Sequence, residues 1–365
     1  MAHFGFFAFR WERFGRTLSS CREATEPSPL RVMVHTVLNV MGLVFSLLAA
    51  TAWAGHSEPA SPPLELLAEY PVEGMVGGNL SGLARCGDSW WAVSDREDER
   101  IYRLVAEDNE WRAVAEEFSA PSPPDAGLPS FLVLAAKARG ILTGQLDLEG
   151  ISCDDSGTRY LVSESYAAVL KLAVDGSSTW LDLPSSMVAA AREAGLLQRV
   201  NALYEGVAVS ADGTRLWLAA ERQGRGILRV DLDGDGSCAA GCILLAEDKL
   251  IRPPPALGPD TRPADFSALA LYGDRLFTLE RLAHRVCRRD PDSGALERCW
   301  SYADAALAES RRYESPYGLA EALWLDDSGV WIGVDNNDLV RVDGEARPTV
   351  WHFAAPPGGW LEGVP

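Results

Sequence analysis

The sequence predicts an all-β chain of the propeller class, and three observations predict it. A strand pair recurs along the 365 residues as LSGLARCGDSWWAVSD from 80, LEGISCDDSGTRYLVSE from 148, YEGVAVSADGTRLWLAAE from 204, FSALALYGDRLFTLE from 266 and AEALWLDDSGVWIGVD from 320. Each copy opens on Ser or Glu before an apolar strand and closes on an acid 13 to 16 residues later. Further short strands follow every closer, for example RIYRLVAE with WRAVAEEF and GILRVDL with CILLAE, which makes four strands per unit. Small sheets that cannot cover their own faces must stack on their neighbours, and a ring of blades is the radial way to do so. Five repeats imply five blades; WLEGVP at 360–365 begins like a sixth opener, so a six-bladed ring is the alternative.

At the N-terminus the apolar run MVHTVLNVMGLVFSLLAATAWA, starting at Met33, ends in Ala52, Trp53 and Ala54. It reads as a secretory signal with a cut after Ala54, so residues 1–54 are a presequence, with Met33 favoured as the true start. Residues 55–63 are a Pro and Ser-rich linker, and 64–365 form one domain. Removing the presequence leaves 28 basic and 49 acidic side chains, a net charge of −21. Such a surface excludes nucleic acid as a partner and tolerates cations. A monomer in the periplasm or outside the cell, with no stable membrane span, is expected.

LELLAEYPVE at 64–73 reads as a strand able to help close the ring. Within each repeat, turns such as CGDS, DDSGT, SADGT, YGD and DDSG carry the Gly and Asp residues that tight hairpins need. The opening strands are nearly all apolar, as expected for strands buried on both faces near an axis. Inserts at 119–146, 184–199, 249–263 and 302–316 separate the units; all but the Pro-rich 249–263 carry helical patterns, and together they are expected to roof one face.

Six cysteines remain after the presequence. Cys238 with Cys242, and Cys287 with Cys299, look like hairpin staples, and Cys86 with Cys153 would bridge neighbouring blades. Zinc is the competing reading, but close Cys or His pairs of the usual spacing are missing.

The phrases NLSGLA, DLEGIS, LYEGVAVSADGTRLWLAAE and DFSALAL with FTLER resemble the phytase-like β-propeller family known for the "esterase-like activity of phytase", over roughly residues 64–354. The resemblance implies an exported propeller, hydrolysis of phosphate or carboxylic esters and Ca²⁺ dependence, although fold resemblance does not fix chemistry.

Strands that converge on an axis bring one residue per blade together. The opener column is Ser81, Glu149, Glu205, Ser267 and Glu321; the closer column is Asp95, Glu164, Glu221, Glu280 and Asp335. Gathered carboxylates repel unless a cation compensates, and hard oxygen donors suit Ca²⁺. The expectation is a Ca²⁺ site of Glu149, Glu205 and Glu321 with the Ser81 and Ser267 hydroxyls; the alternative is that these acids fix turns between blades. Arg96, Arg222 and Arg281 each follow a closer and could hold a phosphate, or form salt bridges between blades. Because alternate strand residues face opposite ways, an acid and the Arg after it should not both face the axis. Glu205 is the candidate base, and His284 a candidate acid or base, with a structural His as its alternative.

There is no GxSxG elbow, P-loop or dinucleotide fingerprint. A hydrolase here would need metal-activated water. The rival to that enzyme is a non-catalytic propeller that binds a ligand or protein.

Overall fold

The structure is a computed structural model that describes residues 61–76, 78–139, 146–233, 241–315 and 319–363. The presequence, Met33, most of the linker and Cys238 lie outside them.

β1 (Leu66–Glu73) is followed by a first meander of β2 (Gly82–Cys86), β3 (Ser89–Val93), β4 (Arg100–Ala106) and β5 (Trp111–Glu117). The second comprises β6 (Leu148–Cys153), β7 (Arg159–Ser163), β8 (Ala168–Leu172) and β9 (Ser178–Trp180). The third is β10 (Tyr204–Val209), β11 (Arg215–Ala220), β12 (Arg225–Asp231) and β13 (Ile243–Glu247). A small hairpin of β14 (Leu250–Ile251) and β15 (Arg262–Pro263) precedes the fourth, β16 (Ala268–Tyr272), β17 (Arg275–Glu280), β18 (Arg285–Arg289) and β19 (Leu296–Ser301). The last has three strands of its own, β20 (Ala320–Leu325), β21 (Gly329–Val334) and β22 (Thr349–Ala354).

β1 supplies what the last meander lacks. It pairs antiparallel with β22 and, at Val72 and Glu73, parallel with β5, so the N-terminal strand ties the last sheet to the first. The seam is filled by Tyr70, Trp90, Trp111 and Trp331, whose ring centroids lie 4.9 to 6.2 Å apart. The opening strands pack in the cyclic order β2, β6, β10, β16, β20 and back to β2. The fold is all-β and propeller-like.

What lets these strands approach is the residue after each opener. A Cβ on Gly82 would lie 2.9 Å from the Gly150 Cα, one on Gly150 2.9 Å from the Glu205 carbonyl oxygen, and one on Gly206 2.7 Å from the Leu269 nitrogen. Gly here serves close backbone approach, and Ala268 and Ala322 take its place in the last two units.

The expected helices occur in the inserts: α1 (Ser130–Arg139), α2 (Ser185–Glu193) and the single turn α3 (Ala303–Ala306). α2 buries Met187, Val188 and Ala191 in a core with Leu196 and Leu197. WLEGVP does not open another strand in its described part: residues 360–363 form a turn that plugs the fourth unit. There Trp360 packs edge-on against Trp300 at 5.2 Å and Phe277 at 6.0 Å, and its indole N–H donates to the Asp326 carbonyl.

Cys86 and Cys153 are bridged between the first two meanders, with Cα atoms 5.8 Å apart. Cys287 and Cys299 are bridged across the β18–β19 pair. Cys242 is buried, while its expected partner Cys238 is outside the described residues. Among the described residues no helix is long and apolar enough to cross a membrane.

Candidate functional site

In each repeat whose opener is Glu, the opener sits in a β-bulge. The β6–β7 register steps from Leu148↔Ser163 to Gly150↔Val162, skipping Glu149. It steps from Tyr204↔Ala220 to Gly206↔Ala219, skipping Glu205, and from Ala320↔Val334 to Ala322↔Gly333, skipping Glu321. The β2–β3 and β16–β17 registers beside Ser81 and Ser267 run unbroken. A bulge releases one residue from the ladder and re-aims its side chain, a device frequent beside active sites.

The re-aimed carboxylates meet in an open cavity of about 740 Å³. Its walls include Asp95, Glu149, Glu205, Glu221, Glu321 and Asp335, faced by Arg222 and Arg281. Asp260, Thr261, Arg262 and Pro263, at the end of the Pro-rich insert, line it as well.

Arg281 is the hub of one side. Its two terminal nitrogens donate to Glu221 and Glu321, and its Nε lies 3.5 Å from Asp265. Arg222 contacts Glu221 and donates to the Asn201 carbonyl at 3.0 Å. Arg96 does not line the cavity; it bonds Asp338 and Asn337 and so links the first and last sheets. Acid and following Arg separate at Asp95 and Arg96 and again at Glu280 and Arg281, whereas Glu221 and Arg222 both reach the cavity. Arg96, Arg222 and Arg281 all lie beyond the ends of β3, β11 and β17, where strand alternation no longer fixes the side.

The remaining column residues divide between cavity and framework. The Ser81 hydroxyl accepts the Asp95 N–H at 3.2 Å, and the Ser267 hydroxyl donates to the Ala320 carbonyl at 2.9 Å. Both are fully buried in backbone-fixing roles. The Glu164 carboxylate accepts the Leu203 N–H at 2.9 Å, and Asp335 the Asn337 N–H at 2.7 Å. Glu280 turns away from the cavity into Arg225, Arg285 and Arg289, at 2.7 to 3.1 Å. His284 also lies apart: it caps a 3-10 turn in the left-handed region at φ 52° and packs on Tyr302, beside a separate cavity of about 50 Å³. Burial brings its imidazole down to about 4, so it is neutral.

Burial and mutual repulsion govern the carboxylates. Glu149 is pushed well above the ordinary range by burial, then by Glu205, Asp95, Asp147 and Glu164. Burial lifts Glu205 to about 8 against the pull of Arg281, and Asp335 to about 9 with help from Glu321. Burial likewise would raise Glu280, but its three guanidinium partners outweigh it and bring the group down to about 2. The cavity side is thus short of positive charge and the Glu280 side is not.

The donors fit an oxygen-seeking cation. Asp95, Asp147 and Glu149 each offer an oxygen within 4.8 Å of the others, as do Glu164, Glu205 and Glu221. The Glu221 Oε2 is buried with no hydrogen-bond partner among the described residues. Such flexible sets of carboxylates suit Ca²⁺ better than Mg²⁺. Glu149 and Glu205 fall in different sets, and Glu321 in neither. Asp147 and Asp265 escaped the sequence reading, although both stand two residues before an opener, as Asn79 does.

The chain matches several solved structures at low identity. A glutaminyl cyclase from Myxococcus xanthus is 11% identical, covering 80% of this chain and 97% of its own, with a TM-score of 0.46. A PQQ-bound aldose sugar dehydrogenase from Streptomyces coelicolor is 12% identical, covering 80% and 100%, with a TM-score of 0.42. A virginiamycin B lyase from Staphylococcus aureus is 11% identical; the match spans 75% of this chain and 66% of the lyase, with a TM-score of 0.33. At these identities the likeness reaches neither substrate nor reaction. No curated protein matches the chain. Residues 76–249, which hold the first three meanders and both carboxylate sets, match the Phytase-like family described as "esterase-like activity of phytase".

Proposed function

We propose that this protein is an exported five-bladed propeller whose central cavity binds Ca²⁺ and hydrolyses phosphate or carboxylic esters. Five blades are supported by the four-stranded meanders and the cyclic packing of their opening strands. Export is supported by the signal-like leader and by the two disulfides.

The observation that carries the hydrolytic reading is that two carboxylate sets present Asp95, Glu149, Glu205 and Glu221 to one cavity together with the Arg222 and Arg281 guanidiniums. Asp95, Asp147 and Glu149, and Glu164, Glu205 and Glu221, would hold the cation. When bound, Ca²⁺ supplies charge neutralisation and polarisation of the ester. Arg222 and Arg281 orient the anionic group of the substrate, since a planar guanidinium matches phosphate and carboxylate oxygens. Glu205, lifted to about 8 by burial, is suited to take a proton from the attacking water once it is deprotonated, above that pH or with the cation bound. His284 has no part in this step.

Purified protein assayed against phytate and p-nitrophenyl esters, with and without Ca²⁺, tests the reading. Ca²⁺-dependent turnover that falls about 10²-fold or more in Glu205→Gln is expected. Among the described residues no histidine lines the cavity, which favours a second reading, a binding propeller without turnover. Ca²⁺ binding with no hydrolysis of either substrate would select that one.

A further inference from the structure

We infer that Arg281 is a resident counter-cation that occupies one side of the central cavity and so limits how many divalent cations the cavity takes. The inference rests on the reading of this cavity as a Ca²⁺ site. In the fourth repeat the opener is Ser267 and the closer Glu280 faces away, so that repeat brings no column carboxylate to the cavity. Arg281 enters instead, from the 3-10 turn Arg281–Ala283 that follows β17. Its guanidinium touches Glu221, Asp265 and Glu321, carboxylates from three different repeats. A single buried cation bridging three acids does the electrostatic work that a divalent ion does elsewhere in such clusters.

The geometry of the rest of the cavity agrees. Both sets with oxygens close enough to share an ion come from the first three repeats. Neither contains Asp265 or Glu321, the two acids Arg281 holds apart from Glu221. Glu221 belongs to both arrangements: one oxygen serves Arg281, while Oε2 is buried without a hydrogen-bond partner among the described residues. Arg281 thus bounds the region left for metal and orients Glu221 toward it.

Calorimetric titration of Ca²⁺ into chelator-treated full-length protein reads this directly. Arg281→Met should take up one more equivalent than wild type, Arg281→Lys should keep the wild-type number, and adding Glu321→Gln to Arg281→Met should remove the extra equivalent. Equal stoichiometry in wild type and Arg281→Met overturns the inference. So does an Arg281→Met protein that stays unfolded in Ca²⁺ while Arg281→Lys folds, since a divalent ion then fails to replace the guanidinium; folding only when Ca²⁺ is present supports it. If wild type binds no Ca²⁺ yet Arg281→Met binds one equivalent, the proposed hydrolase fails and the counter-cation stands.

Discussion

Glu280 and Arg281 are neighbours in sequence and lie on opposite sides of the end of β17: Glu280 is sealed among Arg225, Arg285 and Arg289, and Arg281 reaches the central cavity. The first contact set gathers three guanidiniums on Glu280, Arg225 also pairing with Glu247 at 2.5 Å, with Phe266 under Arg225 at 4.2 Å and under Arg289 at 4.9 Å. Removing the acid would leave three buried positive charges without their shared partner. Glu280→Gln keeps the shape of the side chain and should still cost about 3–5 kcal/mol, measured by urea unfolding. A loss under about 1 kcal/mol would show that water reaches the cluster and screens it.

The cavity carboxylates predict a pH dependence of opposite sense. Glu205 and Asp335 hold their protons up to about 8 and about 9 in the folded protein, but release them near 4.5 and 3.8 when unfolded. Between those limits the folded state binds more protons, so metal-free stability falls as pH rises. Glu280, brought down to about 2, acts on the acid side, where its contribution is lost as pH drops below 4.5. Melting temperatures in chelator should therefore decline from about pH 5 to about pH 9, and Ca²⁺ should raise them most at the alkaline end, because it binds the deprotonated acids. A flat profile in chelator would mean that the carboxylates titrate near their ordinary values.

The repeat made the strand pairs, their hairpin turns and the two acidic columns legible, because an apolar strand between an opener and a closer leaves its own period. The bulges were not legible. Opener and closer are separated by 14 residues at Ser81 and Asp95 without a bulge, and by 14 at Glu321 and Asp335 with one, since turn length absorbs the inserted residue. Nor could the column show that Glu280 turns away, since that depends on Arg225 from β12 and Arg285 and Arg289 from β18. Asp147 was overlooked because a lone acid before a strand resembles a loop residue. Only the folded chain brings it to Asp95 and Glu149.

The glycine after an opener joins fold and site most directly, and Gly206 is the sharpest case. A Cβ there would sit 2.7 Å from the Leu269 nitrogen and 2.9 Å from the Ala268 carbonyl carbon, both backbone atoms of β16 that no rotamer change can move. β10 and β16 must separate to admit it, and Glu205, the bulge residue immediately before, moves with β10. Gly206→Ala should cost about 1–3 kcal/mol in denaturant unfolding. It should also weaken Ca²⁺ binding, since Glu205 and Glu221 would no longer keep their spacing to Glu164. Unchanged stability together with unchanged Ca²⁺ affinity would mean that the inner strands can spread freely, and that their close approach is not what gathers the carboxylates.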